Sequence, residues 1–266
     1  MAIQPTQPQG VGGVLDTSFQ LYKASIATVW PLCLLMSIVS SPPSLYLMIG
    51  GGGQTGAAGM LSAMSNPVYW LVYVVSMTLM LWTIGALYLK EYSIGIGAEQ
   101  SAGSALQAAL VRLVPLLLAV VLMIVAITVG LVLLLIPGFI LMVSLMLGTN
   151  LVLFEGKGPI EALSGSHKLV WGNWWRVAAI LTVGFILLMV IYAAVGLIIG
   201  VLAPLIGFGV DDIVTYSAIS GLLVGVIVNV LVTPYYAALL IALYWDLKLR
   251  KEGGDLAARV GALNAV

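Results

Sequence analysis

The stretch that decides the fold is LVPLLLAVVLMIVAITVGLVLLLIPGFILMVSLMLGTNLVLF, residues 113–154, which contains no charged side chain. A helix crossing a hydrocarbon core of about 30 Å needs about 20 mostly apolar residues, so this run is roughly twice the necessary length and has to turn back on itself. Pro137-Gly138 is the expected turn: proline lacks a donor and clashes with the preceding helical turn, and glycine tolerates the dihedrals of a tight bend. The fourth span, Phe139–Phe154, is then short for a full crossing. Working outward, Ile26–Ile49, Pro67–Leu89, Val177–Ala203 and Tyr216–Tyr244 are each long and apolar enough to span. The reading is an all-α, polytopic membrane bundle of six transmembrane helices.

Composition agrees. Of the 266 residues, 62% are apolar and 8% charged, far from the roughly 45–50% and 25% of soluble domains. Ten acidic residues balance ten basic ones, so there is no overall field to draw nucleic acid, and no nucleic-acid partner is expected. Cys33 is the only cysteine, which excludes an intrachain disulfide. The first thirteen residues lack the basic and apolar regions of a cleaved signal. The expected division is a disordered tail at 1–13, a six-span membrane domain at 14–250 and a C-terminal tail at 251–266.

The basic residues set a topology. Lys23, then Lys90 and Arg112, then Lys157, Lys168 and Arg176, then Lys248, Arg250, Lys251 and Arg259 fall in alternate connections, and the other connections have none. The positive-inside rule therefore expects both termini and the two longer loops in the cytoplasm. Tyr88 and Tyr92, Trp171, Trp174 and Trp175, and Tyr244 and Trp245 lie near span ends, where amphipathic rings prefer the headgroup level.

Each odd-numbered span has a candidate amphipathic lead-in helix: Leu15, Phe19 and Tyr22 form one face of the first, Leu106, Leu110 and Leu113 of the second, Leu163, His167 and Val170 of the third. Three hairpin repeats are one reading of this; independent surface helices are the other. A glycine-rich stretch begins at Gly50, and Ala57–Met64 suits a short interfacial turn. Gly196–Gly200 and Gly221–Gly225 are small-residue pairs that favour close packing within the monomer over a dimer face.

Chemistry-bearing groups are sparse. His167 is the only histidine, so a multi-histidine metal site or a two-histidine phosphodiesterase mechanism has no basis in this chain. Glu155, Glu161, Asp246, Glu252 and Asp255 are expected on a solvated or salt-bridged rim, Asp246 and Arg250 as an i, i+4 pair. Asp211–Asp212 are the charges expected on the opposite side. Inside the spans Asn150, Asn229 and Thr233 are the polar residues singled out, as interhelical hydrogen-bond formers or as the lining of a cavity between spans four and six near Pro234. No catalytic residue, metal ligand or cofactor is expected.

Three segments carry a resemblance: VLDTSFQLYK at 14–23, LLIPGFILMVSLMLGTNLVLFEGKGPIEALSGSHKLVWGNWWR at 134–176, and LYWDLKLRKEGGDL at 243–256. Together they resemble the bacterial membrane-domain family first described as the membrane part of glycerophosphoryl diester phosphodiesterase. The resemblance implies a helical bundle in the inner membrane with both ends inside. It implies no hydrolysis, because the soluble barrel that carries that activity is missing.

The functional expectation is a non-enzymatic inner-membrane protein with an accessory, envelope- or lipid-related role. Lys157, His167, Lys168, Trp171, Trp174, Trp175, Arg176, Lys248 and Arg250 are its candidate contacts with anionic lipid or with a partner protein in the membrane or cytoplasm. The alternative is a small permease or lipid-translocating protein. A membrane-embedded lipid hydrolase ranks last, since no nucleophile–base pair is visible.

Overall fold

The computed structural model describes residues 2–50, 57–98, 100–205 and 213–263. Among them the chain forms eleven helices and no strand: α1 (Val11–Ser40), α2 (Pro42–Gly50), α3 (Ala57–Met64), α4 (Pro67–Gly95), α5 (Ala102–Val111), α6 (Leu113–Leu133), α7 (Leu135–Leu145), α8 (Gly148–Glu155), α9 (Pro159–Val170), α10 (Trp174–Leu205) and α11 (Ile213–Leu263). Six segments are long and apolar enough to cross a membrane: Val11–Leu47, Pro67–Gly95, Leu113–Leu133, Leu135–Glu155, Trp174–Leu202 and Ser220–Lys251. The fold is an all-α bundle, as the apolar runs require.

The expected turn inside the long apolar run lies a little earlier. Leu134 breaks the helix with extended backbone (φ −159°, ψ 134°), and Pro137 falls in the first turn of α7. There its missing N–H costs nothing, because first-turn amides have no intrahelical acceptor. Gly138 instead serves close approach: a Cβ on it would collide with the side chain of Leu131 and lie 2.7 Å from that residue's amide nitrogen. The fourth span gains its length by adding α8 after a break at Met146–Leu147. Ser166 of α9 mends that break: its hydroxyl donates to Ser144 O at 2.7 Å and accepts from Leu147 N at 3.2 Å.

Local signals set other boundaries. Asn66 accepts from Val68 N at 3.0 Å and Pro67 takes the first position of α4, so capping and a preset φ start that span together. Gly156 ends α8 in the left-handed region (φ 67°), and Gly172 (φ 93°) makes the corner between α9 and α10.

The first lead-in helix is not separate, since α1 runs unbroken from Val11. Its buried face is Val14, Thr17, Ser18, Leu21 and Ser25, whereas Phe19 is 44% exposed. Small and polar residues face inward here: Ser25 donates to Glu91 of α4, Thr17 to Gln9 before α1, and Ser18 back to Leu15 O, so apolar periodicity did not mark the buried stripe. In α5 the buried residues are Ala105 and Ala109, which let it approach Gly85 of α4, while Leu110 points outward. Only α5 and α9 stand as separate lead-in helices, so the three candidate units differ in build.

The segment expected as a disordered N-terminal tail is ordered and strapped across one end of the bundle. Ile3 N and Gln4 N donate to Gly95 O at 2.8 and 3.1 Å, and Gln9 N donates to Asp246 Oδ1 at 2.7 Å. Beyond 250, α11 continues as helix to Leu263. The core is densest under the strap, where α1 packs along α11 and α4 and buries Leu21, Leu87, Ile241, Tyr244 and Trp245. Span five (Trp174–Leu202) buries least of the six spans, as a helix apolar all round can when its surroundings are lipid.

Candidate functional site

The structure gathers the ionic groups of distant segments at the strapped end, in two nodes. In the first, Asp246 of α11 is fully buried and accepts from Gln9 N, from Arg176 Nη2 at 2.8 Å and from Arg250 Nε at 3.0 Å. Both arginines also donate to Gln9 O, whose side chain accepts from Thr17 Oγ1 at 2.9 Å. One carboxylate thus ties together the strap, the start of α10 and the 246–250 turn of α11. In the second node, Glu155 at the end of α8 pairs with Lys157 at 2.7 Å and Lys248 at 3.0 Å, and accepts from Tyr244 Oη at 2.7 Å.

Among the described residues each node sets two cations against one carboxylate. Between the nodes lie stacked rings: Tyr92 on Phe154 at 4.2 Å between centroids, with Tyr244 and Trp245 against them. Of the aromatic residues expected at span ends, Tyr88, Tyr244 and Trp245 are buried within the bundle, at 6%, 2% and 1% exposure. These rings close-pack where helices converge, and Gly95 makes room for Trp245.

The other predicted residues separate into exposed and packed. Trp171 (56%) and Trp175 (82%) are exposed at the α9–α10 corner, as is Lys168. Trp174 is half-buried and donates through Nε1 to Ile140 O at 3.3 Å. His167 stacks loosely on Trp171, its Nδ1 buried without a hydrogen-bond partner. Lys251 donates to Trp171 O at 3.0 Å. Asp211–Asp212 and the side chains of Glu252 and Asp255 lie outside the described residues.

Asn150 and Asn229 do not share a cavity, which corrects the expected polar lining between spans four and six. Asn150 is fully buried and donates through Nδ2 to Leu240 O at 3.1 Å, tying α8 to α11. Asn229, eleven residues and therefore about 16 Å back along α11, faces α1 across a groove of about 420 Å³ with Ser37, Ser40 and Ser41. Thr233 is half-buried. A cleft of about 240 Å³ does reach spans four and six, but Tyr88, Leu116, Met146, Thr149 and Tyr236 among its lining are mostly apolar. Among the described residues, a Cβ added at Gly196, Gly200, Gly221 or Gly225 meets nothing within 4 Å, so no close helix approach seen there requires a glycine.

Two ionisable residues are buried where span two ends: Lys90, so far only a topology marker, and Glu91, which sequence reasoning passed over. Lys90 is 8% exposed and donates to Gln100 O at 2.9 Å. Glu91 is fully buried, with one carboxylate oxygen accepting from Ser25 Oγ at 3.0 Å and the other without a partner. Adjacent charges at a span end carry no sequence signal of burial, and the packing of α1 and the strap encloses them. Among the described residues no three His, Cys, Asp or Glu converge.

This arrangement, six apolar spans closed at one end by ion-paired nodes and an N-terminal strap, defines a multi-pass helical membrane protein. The chain belongs to the family described as a domain of unknown function, DUF7847, which matches residues 66–247. That match covers α4 to the Asp246 node, and α1 and the strap lie before it. No curated protein and no solved structure matches the chain.

Proposed function

We propose that the protein is a non-enzymatic, lipid-associated component of the bacterial inner membrane, its strapped basic end cytoplasmic and in contact with anionic headgroups. One observation carries the reading: after Arg176, Arg250, Lys157 and Lys248 are committed to carboxylates, the α9–α10 corner still offers Lys168, Trp171 and Trp175 outward. Exposed indoles beside a free ammonium suit the headgroup level. The resemblance to the membrane part of glycerophosphoryl diester phosphodiesterase supports an envelope setting.

The test is native mass spectrometry of the full chain released from mixed nanodiscs, counting retained phosphatidylglycerol against phosphatidylcholine. Lys168→Gln with Trp175→Ala should lower the anionic preference about fivefold, from roughly 1 kcal/mol per surface cation. An unchanged preference in folded protein removes the reading. For orientation, Ser65→Cys should react with an impermeant thiol reagent outside intact cells, and Lys168→Cys should not.

A second reading, a lipid-translocating protein, is favoured by the apolar cleft of about 240 Å³ among spans two, three, four and six. Proteoliposomes that move no labelled lipid above empty vesicles would dismiss it.

A further inference from the structure

We infer that the cleft among α4, α6, α7, α8 and α11 is a binding site for an apolar chain that ends in a neutral hydrogen-bond acceptor, such as an ester or ketone oxygen. The cleft holds about 240 Å³ and its lining carries no charged side chain; its polar groups are the hydroxyls of Tyr88, Thr149 and Tyr236. None of the three donates to an oxygen or nitrogen among the described residues. Tyr88 is nine-tenths buried, and its Oη has no hydrogen-bond partner there. Thr149 Oγ1 has none either, and Tyr236 Oη donates only to the thioether Sδ of Met146, at 3.7 Å.

Other hydroxyls within the spans satisfy themselves, as Ser37, Thr78 and Thr83 do by donating to carbonyls one turn back. Three donors without a strong acceptor in one apolar cleft are costly unless something accepts from them. An anion does not suit them, because no cation lines the cleft to offset its desolvation. A neutral acceptor does. Along their helices Thr149 lies about 9 Å from Glu155, Tyr88 about 10 Å from Gly95 and Tyr236 about 15 Å from Asp246. The hydroxyls are therefore inward of the ionic nodes, where little water competes for an acceptor. Deeper lining comes from Leu81, Met123, Ile127 and Met142, and the unbranched methionines adapt to an irregular chain. Met142 is 40% exposed and Met123 and Ile127 are half-buried, so the cleft opens sideways and a chain can enter from the bilayer. An apolar cavity of about 150 Å³ takes up benzene, so this one has room for a ring or for roughly eight to ten chain carbons. The acyl ester of a membrane lipid and a free neutral amphiphile share this chemistry. The inference stands apart from headgroup contact at the α9–α10 corner, and it asks that a chain be held, not that it be moved across the bilayer.

The full chain is placed in nanodiscs of ether-linked phosphatidylcholine, which has no ester carbonyl, and titrated with methyl dodecanoate carrying a terminal diazirine. Photolabelling should saturate and map to α6 and α7 around Met123 and Met142. Unlabelled methyl dodecanoate should displace the probe at least about fivefold better than dodecane, the gain expected of one hydrogen bond to the head. Tyr88→Phe, which keeps the ring, should weaken the ester about fivefold and leave dodecane unmoved. Met123→Trp, which fills the cleft from its lipid-facing side, should abolish saturable labelling. Displacement by ester-linked phosphatidylcholine assigns the site to a membrane lipid, and displacement by a long-chain methyl ketone alone assigns it to a free amphiphile. Labelling that does not saturate, or that is equal in wild type and Met123→Trp, overturns the inference. Dodecane competing as well as the ester overturns it too, and that comparison needs no variant to fold. Lys168→Gln, on the exposed corner, should leave the labelling unmoved, which separates a failure here from failure of the surface reading.

Discussion

Removing the carboxylate of Asp246 should cost more than removing either arginine that it holds. Asp246→Ala leaves Arg176, 18% exposed, and Arg250, 29% exposed, crowded around Gln9 O with no counter-charge. Breaking a buried ion pair from one side costs about 3–5 kcal/mol; with Arg250 nearly a third exposed, about 2–4 kcal/mol is expected here. For a chain of this size that is a fall of roughly 5–15 °C in apparent melting temperature. Asp246→Asn keeps the shape and an acceptor for Gln9 N, and should cost about half as much. Arg176→Leu leaves a neutral Asp246–Arg250 pair and should cost about 1–2 kcal/mol, and Arg250→Ala about 0–1 kcal/mol. Thermal scans in detergent rank the four, and hydrogen exchange of residues 2–10 reports whether the strap is released. The reasoning fails if Arg176→Leu melts below Asp246→Ala, or if the Gln9 amide stays protected once Asp246 is gone.

Three further substitutions probe the packing. Gly95→Ala drives a methyl into the buried ring of Trp245 and should cost about 1–3 kcal/mol; made on a Trp245→Leu background the extra loss should vanish, and an undiminished loss would show that another contact is responsible. Ser166→Ala orphans Ser144 O and Leu147 N at the break in span four, for about 1–3 kcal/mol, and a thermal midpoint equal to wild type would deny Ser166 that role. Gly196→Ala and Gly221→Ala, whose new methyls meet nothing, should be neutral or stabilising by up to about 1 kcal/mol through helix propensity. A loss of stability, or of an oligomer on size-exclusion chromatography, would mean that these glycines pack against a second chain.

Span number was legible in the sequence because hydrophobic length is a one-dimensional property, set by the thickness of the bilayer. The run from Leu113 to Phe154 had to fold back whatever its neighbours did. Which face of a helix turns inward was not legible. In lipid an apolar face gains nothing by burial against protein, so Leu110 points out while Ala105 and Ala109 pack, and in α1 Ser18 and Ser25 are buried while Phe19 is not. Aromatic position misled for a related reason: rings near span ends suit either the headgroup level or the bundle's closed end. Trp175 is exposed and Trp245 is buried where the helices converge.

The sequence by itself determined the class, an all-α bundle of six spans, and the segregation of basic residues to alternate connections, because both follow from apolar length and from where charges lie along the chain. Only the tertiary structure decided what those charges do. Gln9, Arg176 and Asp246 are distant in sequence and meet because the strap crosses the start of α10 and the 246–250 turn of α11. The same strap and α1 leave Lys90, a topology marker in the sequence, as a buried cation beside a cavity. Pairing, burial and enclosure are properties of groups brought together by the fold, and no single segment of the chain contains them.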